Sequence, residues 1–220
     1  MKNLHNALQL KQLYLLKQLG YNYTDIMPSE LEKEEVQLPR DMKLLEKMAT
    51  DCHLCELSKS RQQVVFGEGN PNADIMFIGE APGATEDSTG HPFVGRSGEI
   101  LTKMIENVLQ IPRTEAYICN IVKCRPPSNR VPSPSEALIC RPYLLQQIEM
   151  IAPKIVVTLG ATAYRYLTND ETVINRVRGC LIKEESYSII PTLHPSYLLR
   201  NPSAKKDAMK DLLKVKELLF

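Results

Sequence analysis

Much of what this chain can be is limited by what its sequence lacks. No apolar run approaches the ~18 residues a membrane-crossing helix needs, and the first residues lack the apolar core of a signal peptide. A membrane span is therefore excluded, and a cytoplasmic location is expected. No internal repeat or low-complexity tract is present, so the 220 residues, 43% hydrophobic and 24% charged, can bury a sizeable core as one domain plus an arm. An overall basic surface is also missing, because the formal net charge is only +1. The charge is uneven, however. Residues 30–56 hold eight acids against four bases, while residues 120–145 hold Lys123, Arg125, Arg130 and Arg141 against Glu136 alone, which leaves room for a local basic face. Evenly spaced cysteines are absent too. Six unevenly placed ones in a reducing compartment are not disulfides, but core thiols, redox groups or metal ligands.

What is there is organised around Ala73 to Gly83, ADIMFIGEAPG. Residues 74–78 form an apolar run that can be buried on both faces, as strands of parallel sheets are. Gly79 lets the backbone approach a ligand closely, and Pro82 and Gly83 force a turn that holds Glu80 at the strand's carboxyl end. In open α/β sheets that edge is where ligands bind.

The chain before it reads as an amphipathic helix over 3–19, a polar, acid-rich connection over 22–39 and a short helix over 41–50. After it, helices are expected over 97–109, 135–151, 161–167 and 204–219, and strands over 116–122, 154–159 and 187–193, with an edge strand over 178–184. This βα alternation predicts a parallel sheet covered on both faces. Comparison of the strand ends is then informative. Glu80, Asn120, Gly160 before a helix, and His194-Pro195-Ser196 fall at corresponding positions, so a carboxylate, an amide and an imidazole converge on one rim.

Cys52 and Cys55 form a C-x2-C pair, and Cys124 and Cys140 add two more thiolates at wide spacing. Four thiolates can hold a [4Fe-4S] cluster or a zinc ion. A zinc ribbon repeats the short knuckle, whereas the second pair here is wide and set among Pro126, Pro127, Pro132, Pro134 and Pro142, which favours iron-sulfur. A thioredoxin-like reading is disfavoured because no strand precedes Cys52 and Cys55. Cys119 and Cys180 read as core thiols within strands, and His53 as pointing away from the metal.

These residues together resemble the family 4 uracil-DNA glycosylases, the thermostable-type, iron-sulfur-containing branch. The resemblance is carried by Gly79-Glu80-Ala81-Pro82-Gly83, Glu86-Asp87, Gly90-His91-Pro92-Phe93-Val94-Gly95, Asn120 with Lys123-Cys124-Arg125-Pro126-Pro127, and His194-Pro195-Ser196 with Leu198-Leu199-Arg200. It spans residues 52 to the C-terminus. Cys119 stands where members often carry threonine.

The resemblance implies a three-layer α/β/α fold with a central four-stranded parallel sheet over residues 51–220, and a helical extension over residues 1–50. It also implies a monomer that removes uracil from single- or double-stranded DNA, leaves an abasic site for base excision repair, and carries a [4Fe-4S] cluster on Cys52, Cys55, Cys124 and Cys140. Phe93 would stack on the flipped base. Asn120 would read O4 and N3–H together, a pattern that cytosine inverts. Glu80 would orient the attacking water, His194 would donate to O2 as the leaving group gains charge, and Gly79 would let the base approach. Glu86 would lie against C5 and exclude the methyl of thymine. On the DNA, Ser196 and Arg200 would hold phosphates, Leu198 or Leu199 would fill the gap left by the base, and Lys123, Arg125 and Arg130 would lie on a rigid basic loop pressing the strand.

A relative that traps the abasic product carries a histidine-containing basic loop after the Asn strand, and residues 128–134 contain no histidine. A binding module without catalysis would not require Glu80, Asn120 and His194 together. An electron-transfer protein is disfavoured because the cysteines flank a pocket made of other polar residues.

Overall fold

The fold grows from the buried run that the sequence places first. In the computed structural model, which describes residues 38–220, Ile75–Gly79 is a strand buried at every position. The expected helix over 3–19 lies outside the described residues. Among the described residues the sheet has six strands: β1 (Glu68–Gly69), β2 (Ile75–Gly79), β3 (Tyr117–Asn120), β4 (Ile155–Leu159), β5 (Ile182–Lys183) and β6 (Ser188–Thr192), in the order β1-β3-β2-β4-β6-β5. Its inner four run parallel, while β1 and β5 add short antiparallel edges. Where the sequence predicts four parallel strands, the sheet is thus a mixed one of six. Of the two edges, β5 falls within the edge strand expected over 178–184, and only β1, two residues long and too short for a periodic signal, was not expected.

The edge strand expected over 178–184 contracts to Ile182–Lys183 for a local reason. Glu184 N–H donates to the Tyr187 carbonyl at 2.9 Å, and Ile182 pairs with Ile189. Continued pairing would set Cys180 opposite Pro191, which has no N–H to offer the ladder. Cys180 is consequently exposed and is not the core thiol that a longer strand would have made it.

Alternate residues of the strands build two cores. Ile75, Phe77, Ile118, Val157 and Ile190 pack with α3 (Arg96–Met104), the π-helical turn Ile105–Leu109 and α8 (Lys205–Leu219). Met76, Ile78, Tyr117, Cys119, Val156 and Ile189 pack on the other face with α4 (Pro134–Ile151) and α5 (Ala161–Thr168). The result is an α/β/α arrangement. Each fully buried Phe or Ile contributes roughly 1.5–3 kcal/mol relative to exposure, and truncating Phe77, which is 0% exposed, would cost about 3–5 kcal/mol.

Three further helices complete the described part: α1 (Met42–Thr50), α2 (Ala84–Thr89) and α7 (Pro195–Arg200), with a single turn, α6 (Ile174–Val177), before β5. α1 buries Leu45 and Ala49, and Tyr143 Oη of α4 donates to the Met48 carbonyl at 3.3 Å. α4 begins where Ser133 and Glu136 exchange hydrogen bonds in a capping box, with Pro134 at the first helical position. No helix among the described residues is long and apolar enough to cross a membrane.

Candidate active site

The carboxyl ends of the parallel strands open onto a cleft of about 890 Å³, within the range of small-molecule sites. Gly79 ends β2 in register with Asn120, the last residue of β3. A Cβ at Gly79 would stand 2.5 Å from Asn120 Oδ1 and closer still to the Phe93 ring, so only glycine allows those two groups to meet there. Phe93 is itself held in the left-handed region at φ 53°. Gly98 of α3 makes that possible, because a side chain there would collide with the Phe93 carbonyl. Asn120 is 1% exposed, and its Oδ1 has no hydrogen-bond partner among the described residues. An orphaned buried acceptor costs about 1–3 kcal/mol.

His194 closes the opposite wall. It precedes α7, where the Ser196 N–H donates to its Nδ1 at 3.1 Å and the Ser196 hydroxyl lies 2.8 Å from the same nitrogen. A backbone N–H can only donate, so Nδ1 is the acceptor and the proton of the neutral ring sits on Nε2. Burial, and secondarily the charge of Arg200, push the imidazole pKa down from 6.5 to about 4. The ring centroid lies 5.9 Å from that of Phe93, tilted by 37°. After β4, Gly160 sits at φ +90°, and a Cβ there would come within 2.9 Å of His194 Cβ. Glu80 lines the same cleft, half-buried.

Glu86 also lines the cleft, with its carboxylate held by backbone. Oε2 accepts from Gly83 N–H at 3.1 Å, and Oε1 accepts from Val94 at 3.2 Å and Gly95 at 3.0 Å. It therefore caps α2 and ties the Phe93 loop to it. Asp87 beside it is buried and accepts from Gln62 N–H at 2.9 Å.

The residues expected on DNA divide. Ser196, Leu199, Arg200 and Arg130 line the cleft. Arg130 is not a free cation: it makes a two-pronged pair with Glu136 at 2.8 and 2.7 Å. That pairing is the main cause that holds the Glu136 carboxyl at about 2. Arg125 donates to Asn129 Oδ1 at 2.8 Å and comes within 4.0 Å of Asp87. Two expectations are corrected. Leu198 is 1% exposed and belongs to the core under α7, so of the two leucines only Leu199, 40% exposed, is open to a partner. Lys123 is not on a DNA-facing loop. It is 2% exposed, because its side chain folds back beneath β3 to Asn120 and Gln147. The cleft also gathers Arg96, Val131 and Tyr197, which sequence reasoning did not single out. Only Arg96, at the start of α3, carried a hint in its charge.

Cys52 and Cys55 lie in the turn after α1, Cys124 follows β3, and Cys140 is on α4. Arg61 Nη1 donates to Cys124 Sγ at 3.2 Å and to the Cys52 carbonyl at 2.8 Å, and Lys123 N–H donates to Cys140 Sγ at 3.4 Å. Burial raises the thiols of Cys55 and Cys124, and that of Cys140 to about 12. Each of these three also feels the charge of Cys52, and Cys124 feels Cys55 as well, so the four form one neighbourhood. Four thiols with N–H donors aimed at two of the sulfurs are a fitting donor set for an iron-sulfur cluster. Among the described residues no group of three or more His, Cys, Asp and Glu side chains is drawn together closely enough to hold a metal ion. Cys119 is buried within β3, and His53 is exposed.

A sheet between two helical layers, with an aromatic ring, a buried unpartnered amide and a neutral imidazole at one rim, defines an α/β/α protein whose cleft suits a planar, hydrogen-bonding ring. Comparison with known proteins makes this specific. The family described as the Uracil DNA glycosylase superfamily matches residues 66–214, and the chain belongs to that family. Among curated proteins it is similar to a type-4 uracil-DNA glycosylase of Thermotoga maritima, 44% identical over 182 residues that cover 81% of this chain and 94% of the relative. A type-4 uracil-DNA glycosylase of Saccharolobus solfataricus is 46% identical over 176 residues, 76% of this chain and 82% of the relative. One of Sulfurisphaera tokodaii is 44% identical over 175 residues, 76% and 80% respectively.

Proposed function

We infer that this protein is a uracil-DNA glycosylase of the type-4 kind, a hydrolase that cleaves the N-glycosidic bond of uracil flipped out of DNA and leaves an abasic site for base excision repair. The observation that carries the reading is the orphaned Oδ1 of Asn120, buried between Gly79 and the Phe93 ring at the floor of the cleft. A uracil seated there gives its N3–H to that oxygen and takes the Asn120 amide N–H on O4. Cytosine presents the reverse pattern and leaves buried groups unpaired.

Extrusion of the base costs a few kcal/mol of unstacking, offset in part by stacking on Phe93. As the bond to the sugar lengthens, charge collects on O2, and the Nε2–H of neutral His194 is the donor for it. A neutral donor preserves the full effect of a preorganised hydrogen bond without adding a proton that the leaving group must share. Glu80 orients the water that captures the sugar and favours its positive charge. Leu199 fills the vacated stack, while Ser196, Arg200 and the loop of Arg125 and Arg130 hold the strand. Glu86 bounds the C5 edge.

Cys52, Cys55, Cys124 and Cys140 would hold a [4Fe-4S] cluster. Bound there, the group would tie the turn after α1, the start of the proline-rich loop and α4 together by metal-thiolate bonds. The chain is read as a monomer acting in the cytoplasm on single- or double-stranded DNA. Residues 1–50 are read as a helical extension to a catalytic domain over 51–220.

The test is direct. Purified protein is incubated with an oligonucleotide containing one uracil, and abasic sites are revealed by alkaline cleavage. Cleavage at uracil, with none at cytosine or thymine in the same position, is expected. Intact uracil DNA under saturating protein would refute the assignment.

A further inference from the structure

Lys123 stands where a lysine is costly. Its side chain is 2% exposed, its Nζ donates to the Asn120 main-chain carbonyl at 3.0 Å and to Gln147 Oε1 at 2.5 Å, and the Phe66 ring centroid lies 5.9 Å away. Among the described residues it forms no ion pair. Taking an ammonium out of water without a carboxylate is strongly unfavourable, and neutral partners alone do not offset it. Gln147 is built to receive it: its Nε2 donates to the Phe66 carbonyl and to Tyr117 Oη, both at 3.0 Å, which leaves Oε1 turned toward the lysine.

The position of Lys123 in the chain shows what the ammonium reaches. Asn120 is the final residue of β3, and Ile121 N–H is still held by the Gly79 carbonyl at 2.9 Å. The peptide that leaves Asn120 is thereby pinned on its N–H by β2 and on its C=O by Lys123. These two bonds fix the backbone of the residue whose side chain faces Gly79 and Phe93. The same lysine gives its own N–H to Cys140 Sγ at 3.4 Å, and the next residue is Cys124.

We propose that Lys123 is a positioning residue for base recognition, its ammonium locking the Asn120 peptide in place while its main-chain N–H meets Cys140. The proposal rests on the reading of the cleft as a uracil pocket. It assigns Lys123 no contact with substrate, and no contact with DNA.

The test compares the wild-type holoprotein with Lys123→Met, which keeps an unbranched chain one atom shorter but removes the charge and both hydrogen bonds, and with Gln147→Met, which leaves the charge and removes one anchor. Three quantities are read: affinity for uracil DNA, the fraction of active sites from the burst amplitude, and the single-turnover rate per active site. Lys123→Met should bind DNA within about twofold of wild type yet release uracil about tenfold more slowly per active site, and Gln147→Met should lose about threefold. A wild-type rate per active site in Lys123→Met, with only the active fraction reduced, would mark a merely structural lysine and overturn the proposal. If Lys123→Met does not fold, a wild-type rate in Gln147→Met overturns it alone. Inactive wild-type protein would instead remove the uracil reading on which the proposal stands, whereas active wild type with two unimpaired variants removes only the role of Lys123.

Discussion

Gly79 and Asn120 face each other across β2 and β3, and a Cβ on Gly79 would lie 2.5 Å from the amide oxygen of Asn120. The absence of a side chain at one strand end is thus the condition for a usable one at the next. Gly79→Ala should cost about 1–3 kcal/mol of stability through overpacking. Its effect on chemistry should be larger, because displacement of a reading group by about 1 Å is worth on the order of a hundredfold in rate. Thermal unfolding and single-turnover uracil release on the same preparation check both. A variant with the wild-type rate would mean that Phe93 and Asn120 yield without loss.

The neutrality of His194 has a pH signature. Its pKa falls to about 4 in the folded chain, from 6.5, so between those values the unfolded state takes up a proton and the native state does not. The contribution of this residue to stability is therefore complete above pH 6.5 and is lost as pH falls toward 4. Nitrogen-15 chemical shifts of the His194 ring should report a proton on Nε2 and none on Nδ1 from pH 8 to pH 5. A titration midpoint near 6.5 would contradict this, and so would a proton on Nδ1.

Glu86→Gly should do more than widen the pocket. The carboxylate ties Gly83, Val94 and Gly95 together through three N–H donors, and charge-assisted bonds of this kind are worth about 1.5–3 kcal/mol each. The variant should therefore lose at least about tenfold in uracil release, because the Phe93 loop is freed along with the space beside C5. Wild-type uracil release, accompanied by gain of thymine release from mismatches, would show that the residue only blocks.

The cysteine site makes a compositional prediction. Anaerobically purified protein should be brown and carry about four irons per chain. Cys124→Ser should lose iron, and Cys119→Ala should keep it, because Cys119 packs inside β3 on the core side. Stoichiometric zinc without iron would overturn the cluster, and iron loss from Cys119→Ala would overturn the choice of ligands.

The strand ends were legible in the sequence because a parallel strand is a short apolar run with an abrupt polar stop. Gly79-Glu80, Asn120, Gly160 and His194 all mark such stops, and the topology carries them to one rim. What could not be read was the direction of individual side chains. Lys123 sits in a basic stretch, and charge normally means exposure. Its burial is decided by Gln147, twenty-four residues away. Leu198 and Leu199 are adjacent and equally apolar, and only the phase of α7 turns one to the core and the other to the cleft. Arg130 looked free, although Ser133 and Glu136 form the capping-box spacing that presents a carboxylate to it. The length of the edge strand depended on a register that sets Cys180 against Pro191, a relation with no local signal.

The most direct test of the whole reading is the single-turnover release of uracil by Asn120→Ala against wild type, at saturating protein. The variant removes the orphaned acceptor and its paired donor and leaves Glu80 and His194 in place. Loss of one preorganised partner of this kind corresponds to about 2.7–4 kcal/mol, or a fall of about 10²–10³ in rate. That fall, with DNA affinity little changed, is the predicted result. A rate within a few-fold of wild type would mean that the base is read elsewhere and would contradict the account.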